Sequence, residues 1–312
     1  MPKYKPILTQ IVDPNGVDTS INPRPMELGS DKSRRTVVKE TGGEPLVEYM
    51  GRTNPYIDYQ SIDILLSLQH PRSQGYHEMC FIVMGQIKEM LFRGFHFEIV
   101  NAQMQIREDE IKNAMEILTR AIAYAKYIAD TWNILSTIST EGFSEFRNNL
   151  GTASGQLSFM YRHVEFSLGN KNRRLAVAHK NVPHIWPEIE RALNSPSLYD
   201  DVIAFLYRKG AKIDKEMLSR DWAEPYEANR SVEEAWLQIY REPSSDNELY
   251  KLGESLISLD ENFSIYRWRH FLTVQKIIGY KPGTGGSAGV DWLQQVTGHR
   301  FFPELWSIRT KL

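Results

Sequence analysis

Three observations predict an all-α protein. Apolar residues recur at steps of three and four along long stretches of the chain, short turn signals separate those stretches, and no convincing run of alternating strand pattern occurs. Residues 1–53 precede the first such stretch. They scatter Pro, Gly, Asp, Ser and Lys among few periodic apolar positions, as in GSDKSRRTVVKETGGEP, and read as a loosely structured N-terminal arm able to pack on a partner subunit. Residues 58–69 form the next predicted helix, stopping before Pro71. Residues 77–104 carry Met79, Phe81, Ile82, Met84, Ile87, Met90, Leu91 and Phe95, the pattern of a broadly apolar, central helix. Residues 107–136 make the clearest amphipathic helix, with Ile111, Met115, Leu118, Ile122, Ala125, Ala129, Trp132 and Leu135 on one face, opened by Glu108, Asp109 and Glu110 at the positive end of the dipole. Further helices are predicted over about 154–168, ending at Gly169, and over 197–208, ending at Gly210. Another spans 231–242, where Ser231 and Glu234 suggest a capping box. The last places Leu256, Leu259, Phe263, Tyr266, His270, Val274 and Ile277 on one face and stops at Gly279. With no internal repeat and no linker composition, residues 54–312 are expected to form one domain beyond the arm.

Composition narrows the function. The 312 residues are 41% hydrophobic and 24% charged, which is globular, and the net charge of −2 gives no basic field to draw in nucleic acid or an anionic membrane. No apolar run is long enough to span a bilayer, and MPKYKPILTQIVDPNG lacks the apolar core of a secretory signal. Cys80 is the single cysteine, which excludes an internal disulfide and a cysteine-based zinc site. A soluble, cytoplasmic protein is expected.

Several catalytic motifs are absent. GTGGSAG lacks a following Lys-Ser/Thr and comes after a helix, so it makes a poor phosphate loop. His77-Glu78 lacks the second histidine of a zinc-protease helix, no Gly-x-Ser-x-Gly elbow occurs, and no carboxylate pair stands out. What stands out is WRHFLTVQKIIGYKPGTGGSAG, Trp268 to Gly289. There His270 lies on an apolar helix face and a glycine-rich loop follows directly. A buried imidazole beside small residues could hold a flat metal cofactor; a hydrogen-bonded core histidine is the plainer reading. Arg162 sits among Leu157, Phe159, Tyr161, Val164 and Phe166 and so needs an anion, either an internal glutamate or a ligand carboxylate.

Seven separated segments then fall into one order: YIDYQSIDILLSLQHP, HEMCFIVMGQIKE, FRNNLGTASGQLSFMYRHVEFSLGNKN, SLYDDVIAFLYRKG, RDW, the WRH…GTGGSAGV stretch, and FFPELWSIRT. In these segments the chain resembles the tryptophan 2,3-dioxygenases, all-α haem oxygenases that open the indole ring, over roughly residues 54–310. The resemblance implies a helical haem-binding bundle and a homotetramer built as a dimer of dimers. It implies that His270 ligates the iron of haem b, with Gly285 in the loop beside the cofactor. It implies that Arg162 pairs with the carboxylate of L-tryptophan, that Thr284 lies near the amino and carboxylate groups, and that Phe81 packs on the indole. Tyr56 and Tyr59 match a pair that a neighbouring subunit contributes to the pocket.

One position departs. The family usually carries a distal histidine four residues after the pocket phenylalanine, where this chain has Gly85. With Met84, Ile87 and Leu91 nearby, the distal pocket should be roomier and less polar. The expected activity is insertion of O2-derived oxygen at the indole C2–C3 bond, giving N-formylkynurenine. The alternatives are a monooxygenase forming a 2-oxindole from tryptophan or a methylated tryptophan, and a non-catalytic haem- or tryptophan-binding protein.

Overall fold

In the computed structural model the described residues are Arg24, Met26 and residues 28–47, 54–242 and 247–312. They contain no strand, so the all-α prediction holds for them. The chain divides into two compact units, Met1–Met79 and Cys80–Leu312.

The described residues of the first unit hold three helices. α1 (Asp31–Glu40) starts at Ser30, whose side chain and that of Ser33 cap each other's backbone N–H, and it buries none of its residues. It is a helix within the segment expected to be loosely structured; most of the remaining arm lies outside the described residues. α2 (Pro55–Gln60) begins with proline at its first turn, and Asn54 accepts the Tyr56 N–H at 3.0 Å. Ser61 then adopts a left-handed conformation (φ 51°), so α3 (Ile62–Leu65) is separate. The single helix expected over 58–69 is therefore two short ones. Arg24 holds this bend through ion pairs to Asp58 (3.1 Å) and Asp63 (2.9 Å).

The second unit begins within α4 (Glu78–Arg107). Asp109 (φ 61°) turns the chain into α5 (Ile111–Leu135), so Glu108 and Asp109 belong to the turn rather than to the helix start. Asp109 accepts instead from the Arg208 guanidinium at 2.8 Å. Next come α6 (Thr140–Arg147), capped by Ser139, and α7 (Phe159–Leu168), capped by Ser158 and closed by left-handed Gly169. The helix expected over 154–168 thus starts late, because Ser158 is extended and only a short 3-10 turn precedes it. α8 (Arg173–Ala176), α9 (Trp186–Leu193) and α10 (Leu198–Arg208) follow, the last with a capping box between Ser197 and Asp200. α11 (Arg230–Arg241) is capped by Asn229, which accepts from the Ser231 and Val232 amides, so the box expected at Ser231 and Glu234 does not form. α12 (Glu248–Ile278), α13 (Val290–Thr297) and α14 (Pro303–Ser307) complete the chain.

α5 and α12 form the most extensive helix pair. The faces that meet are those the periodicity marked: Leu118, Ala125 and Ile128 on α5, and Leu256, Leu259 and Phe263 on α12, are fully or almost fully buried. Phe92, Phe95 and Ile99 of α4 join this core. Gly94 lets α4 approach α5 closely, since a Cβ there would stand 2.6 Å from the Tyr124 ring. Burial of each large apolar side chain stabilises the fold by about 1.5–3 kcal/mol, so this pair sets the frame on which His270 is mounted. No helix among the described residues is long and apolar enough to cross a membrane.

Candidate functional site

A cavity of about 420 Å³ lies within the second unit, among α4, α5, α7, α12 and α13. Phe81, Trp132, Leu135, Ile138 and Ile277 give it an apolar wall; Gln156, Arg162, Glu165, Asn170 and His299 line a polar part. Its size and mixed lining suit a small-molecule or cofactor site.

His270 opens onto this space because α12 turns the stripe Phe263, Tyr266, His270, Val274 inward, and the layer of core residues thins where the cavity begins. Its ring stacks on Trp132, with centroids 4.4 Å apart and planes 13° apart. It makes no hydrogen bond among the described residues, so the indole face orients it where a hydrogen-bond acceptor would be expected to. Burial, with the nearby Lys88 charge, pushes its pKa down to about 3. The imidazole is therefore neutral at physiological pH and keeps a lone pair, the state a metal ligand needs. The described residues contain no group of three or more His, Cys, Asp or Glu that could hold a metal ion. His270 would here be the protein's ligand to an iron that arrives held by another group, as in haem.

Arg162 lines the cavity, but its charge is met inside the protein. Its Nη1 donates to Glu165 Oε2 at 2.6 Å, and Arg267 Nη2 donates to Glu165 Oε1 at 3.1 Å. All three side chains are almost wholly buried. Burial alone would push the Glu165 carboxyl up; Arg162 and Arg267 together hold it below its ordinary value. Arg267 also lies over the Phe301 ring at 4.6 Å. Of the two anions the sequence left open for Arg162, the structure supplies the internal glutamate, three residues along its own helix.

The glycine-rich loop meets a different arginine. Arg147, the last residue of α6, donates from Nη2 to the Pro282 carbonyl at 2.6 Å, and Thr284 Oγ1 donates to the Ala153 carbonyl at 2.6 Å. A Cβ on Gly285 would stand 2.7 Å from Ser154 Cβ, so the close backbone approach at Gly285 is to the 147–155 segment rather than to open cavity. Arg147 makes no ion pair among the described residues, and its Nε is buried without a hydrogen bond. Sequence reasoning passed over it. The signal was present: Arg162 has an acid at i+3, whereas Arg147 has none at i±3 or i±4. Gly155 and Gln156, next in that segment, line the cavity.

Phe81 lines the cavity and packs on Phe146 and Phe143, with ring centroids 5.4 and 6.0 Å away. Gly85 faces open space: a Cβ there would meet nothing within 4 Å. Tyr56 and Tyr59, in the first unit, are 63% and 78% exposed.

Comparison with known proteins decides the family. The tryptophan 2,3-dioxygenase profile matches residues 42–239 and 237–312. The tryptophan 2,3-dioxygenases of Burkholderia pseudomallei and Cupriavidus necator are each 41% identical over 257 residues, covering 82% of this chain and 84% and 87% of theirs. Tryptophan 2,3-dioxygenase 1 of Ralstonia nicotianae is 39% identical over the same share of this chain. The chain belongs to the tryptophan 2,3-dioxygenase family. The family is haem-dependent, and the residues present fit that cofactor: a neutral imidazole that makes no hydrogen bond among the described residues, aromatic and aliphatic walls, and cations at the cavity's edge. One of those cations is Lys88, whose pKa burial lowers to about 8. His299, across the cavity lining, is pushed down to about 4 by burial and by Arg267.

Proposed function

We propose that the protein is a haem-dependent tryptophan 2,3-dioxygenase, inserting both atoms of O2 across the indole C2–C3 bond of L-tryptophan to give N-formylkynurenine. The observation that carries this is His270, neutral and without a hydrogen bond among the described residues, at the apolar part of the cavity wall in a chain of this family. Haem b on His270 would supply the oxygen chemistry; the protein supplies binding, orientation and exclusion of water. Trp132 holds the imidazole plane by stacking. Phe81, backed by Phe143 and Phe146, offers the flat apolar surface against which an indole can lie. Bringing the ring and the oxygen together in one water-poor space is itself worth a large part of the barrier.

For the amino-acid end we assign Arg147 and Thr284. Arg162 has its charge already matched by Glu165, while Arg147 has a guanidinium that meets no anion among the described residues and is tied to the loop that carries Thr284. Arg147→Ala should raise the Kd for L-tryptophan by about tenfold to a hundredfold, the value of one charge-assisted pair, and leave that for tryptamine near wild type. Spectral titration of both ligands checks this; equal losses would remove the carboxylate role. Exposed Tyr56 and Tyr59 support a homotetramer in which each subunit's tyrosines serve a neighbour's pocket. Sedimentation of the wild type and of a Tyr56→Ala/Tyr59→Ala variant tests it. The absence of a spanning helix among the described residues agrees with a cytoplasmic location.

The deciding experiment is product mass spectrometry under labelled O2, with ferrous haem-loaded protein and L-tryptophan. Two labelled oxygens and kynurenine-type absorbance are expected. One labelled oxygen would mean a 2-oxindole-forming monooxygenase, and the open space before Gly85 would be its structural origin.

A further inference from the structure

We propose that Lys88 is a carboxylate-binding residue of the cavity, so that the ligand seated beside Trp132 carries an anionic oxygen at that point. The proposal rests on the reading of the cavity as a haem and tryptophan site. On α4 the steps from Phe81 to Gly85 and from Gly85 to Lys88 are four and three, which puts the three on one helix face. Phe81 and Lys88 both line the cavity, and a Cβ on Gly85 between them would meet nothing within 4 Å. The Lys88 Nζ stands 4.1 Å above the centre of the Trp132 ring. It makes no hydrogen bond and no ion pair among the described residues. Glu89, the next residue on α4, acts on Lys88 through its charge, but it forms no ion pair with it among the described residues and is hydrogen-bonded by Ser158.

A cation over an indole face gains less than the cost of holding an unpaired ammonium away from solvent. The other charged groups of the cavity do not make up the difference. Glu165 is taken by two arginines, and His270 is neutral. An unmatched positive charge on a water-poor wall calls for an anion from the ligand. A carboxylate suits a lysine, which accepts a point contact without the fixed fork an arginine requires. Two carboxylates can reach such a place: a propionate of haem, or the carboxylate of the amino acid.

Hemin uptake by the apoprotein, and binding of L-tryptophan and tryptamine to the haem-loaded protein, distinguish them in wild type, Lys88→Met and Lys88→Arg. Lys88→Met keeps the length and apolar stem and removes the charge. A propionate partner predicts that Lys88→Met weakens hemin binding about tenfold or more, with rescue by Lys88→Arg and an unchanged L-tryptophan Kd. An amino-acid partner predicts the same loss for L-tryptophan alone, with tryptamine and hemin unaffected. Unchanged affinities throughout, or equal losses for L-tryptophan and tryptamine, would overturn the proposal. A wild type that takes up no hemin would overturn the haem reading and the propionate partner with it. Calorimetry of L-tryptophan and tryptamine on the protein as isolated then decides the other partner: a loss confined to L-tryptophan in Lys88→Met supports it, and any other result overturns it.

Discussion

His270→Ala is expected to lose haem and, with it, tryptophan oxygenation. The imidazole is neutral over the whole working pH range, with its pKa pushed down to about 3, and it makes no hydrogen bond among the described residues. Losing a residue that merely orients a metal ligand typically costs 10- to 100-fold in affinity or activity, so losing the ligand itself should cost at least about a hundredfold. The side chain is also not a stability element of the ordinary kind. It leaves no partner unsatisfied, and its main contact is one stacked face on Trp132. Thermal unfolding of the apoprotein should therefore shift little while the Soret band of the reconstituted protein is lost. The two measurements separate a ligand from a core histidine: a core histidine would lower the unfolding temperature and spare the haem. Full haem content and full activity in His270→Ala would end the assignment. Trp132→Phe makes a milder companion, because it keeps an aromatic face for the imidazole and removes the buried indole N–H that has no acceptor.

The parts of the fold and site that were legible share one property: they depend on spacing along a single helix. The inward face of α12 was readable from steps of three and four, and with it the direction of His270. The buried face of α5 was readable in the same way. What failed depends on backbone conformation or on contacts between elements. Left-handed Ser61 split one expected helix into two, and nothing in SID marks a serine for positive φ. Ser231 looked like a cap because Glu234 follows at the right distance. Asn229 instead starts the helix two residues earlier, accepting from the Ser231 and Val232 amides, a competition that residue types alone do not settle. The close approach of Gly285 to Ser154, a residue far away in sequence, likewise has no signal in the loop's own pattern. The stacking of Trp132 on His270 joins α5 to α12 and has no counterpart in either helix's own pattern. Arg147 was missed because its neighbours along the chain look ordinary. Its meaning comes from the acids it lacks and from the loop it meets across the fold.

Arg162→Ala is expected to act on stability before it acts on the ligand. Glu165 is 2% exposed and takes Arg162 at 2.6 Å and Arg267 at 3.1 Å. Removing one partner of a buried pair costs about 3–5 kcal/mol, and because Arg267 stays in place the loss should fall near the lower end. For a domain of this size, about 3 kcal/mol lowers Tm by roughly 6–12 °C. The pH dependence carries the sign. The folded-state Glu165 carboxyl lies below its ordinary value, so its contribution is present above the unfolded-state pKa and is lost as pH falls through the folded-state value. Without Arg162, burial gains on the remaining arginine and the carboxyl moves up. The gap between variant and wild type should then be widest near neutral pH and shrink in acid, where the wild type gives up the same contribution. Denaturant melts at pH 7 and at progressively lower pH read this directly. Haem-loaded Arg162→Ala that still folds should keep a ratio of L-tryptophan to tryptamine affinity close to wild type, in contrast to Arg147→Ala. The opposite pattern, unchanged stability with selective loss of L-tryptophan, would return the carboxylate to Arg162 and leave the orphaned guanidinium of Arg147 to the loop alone.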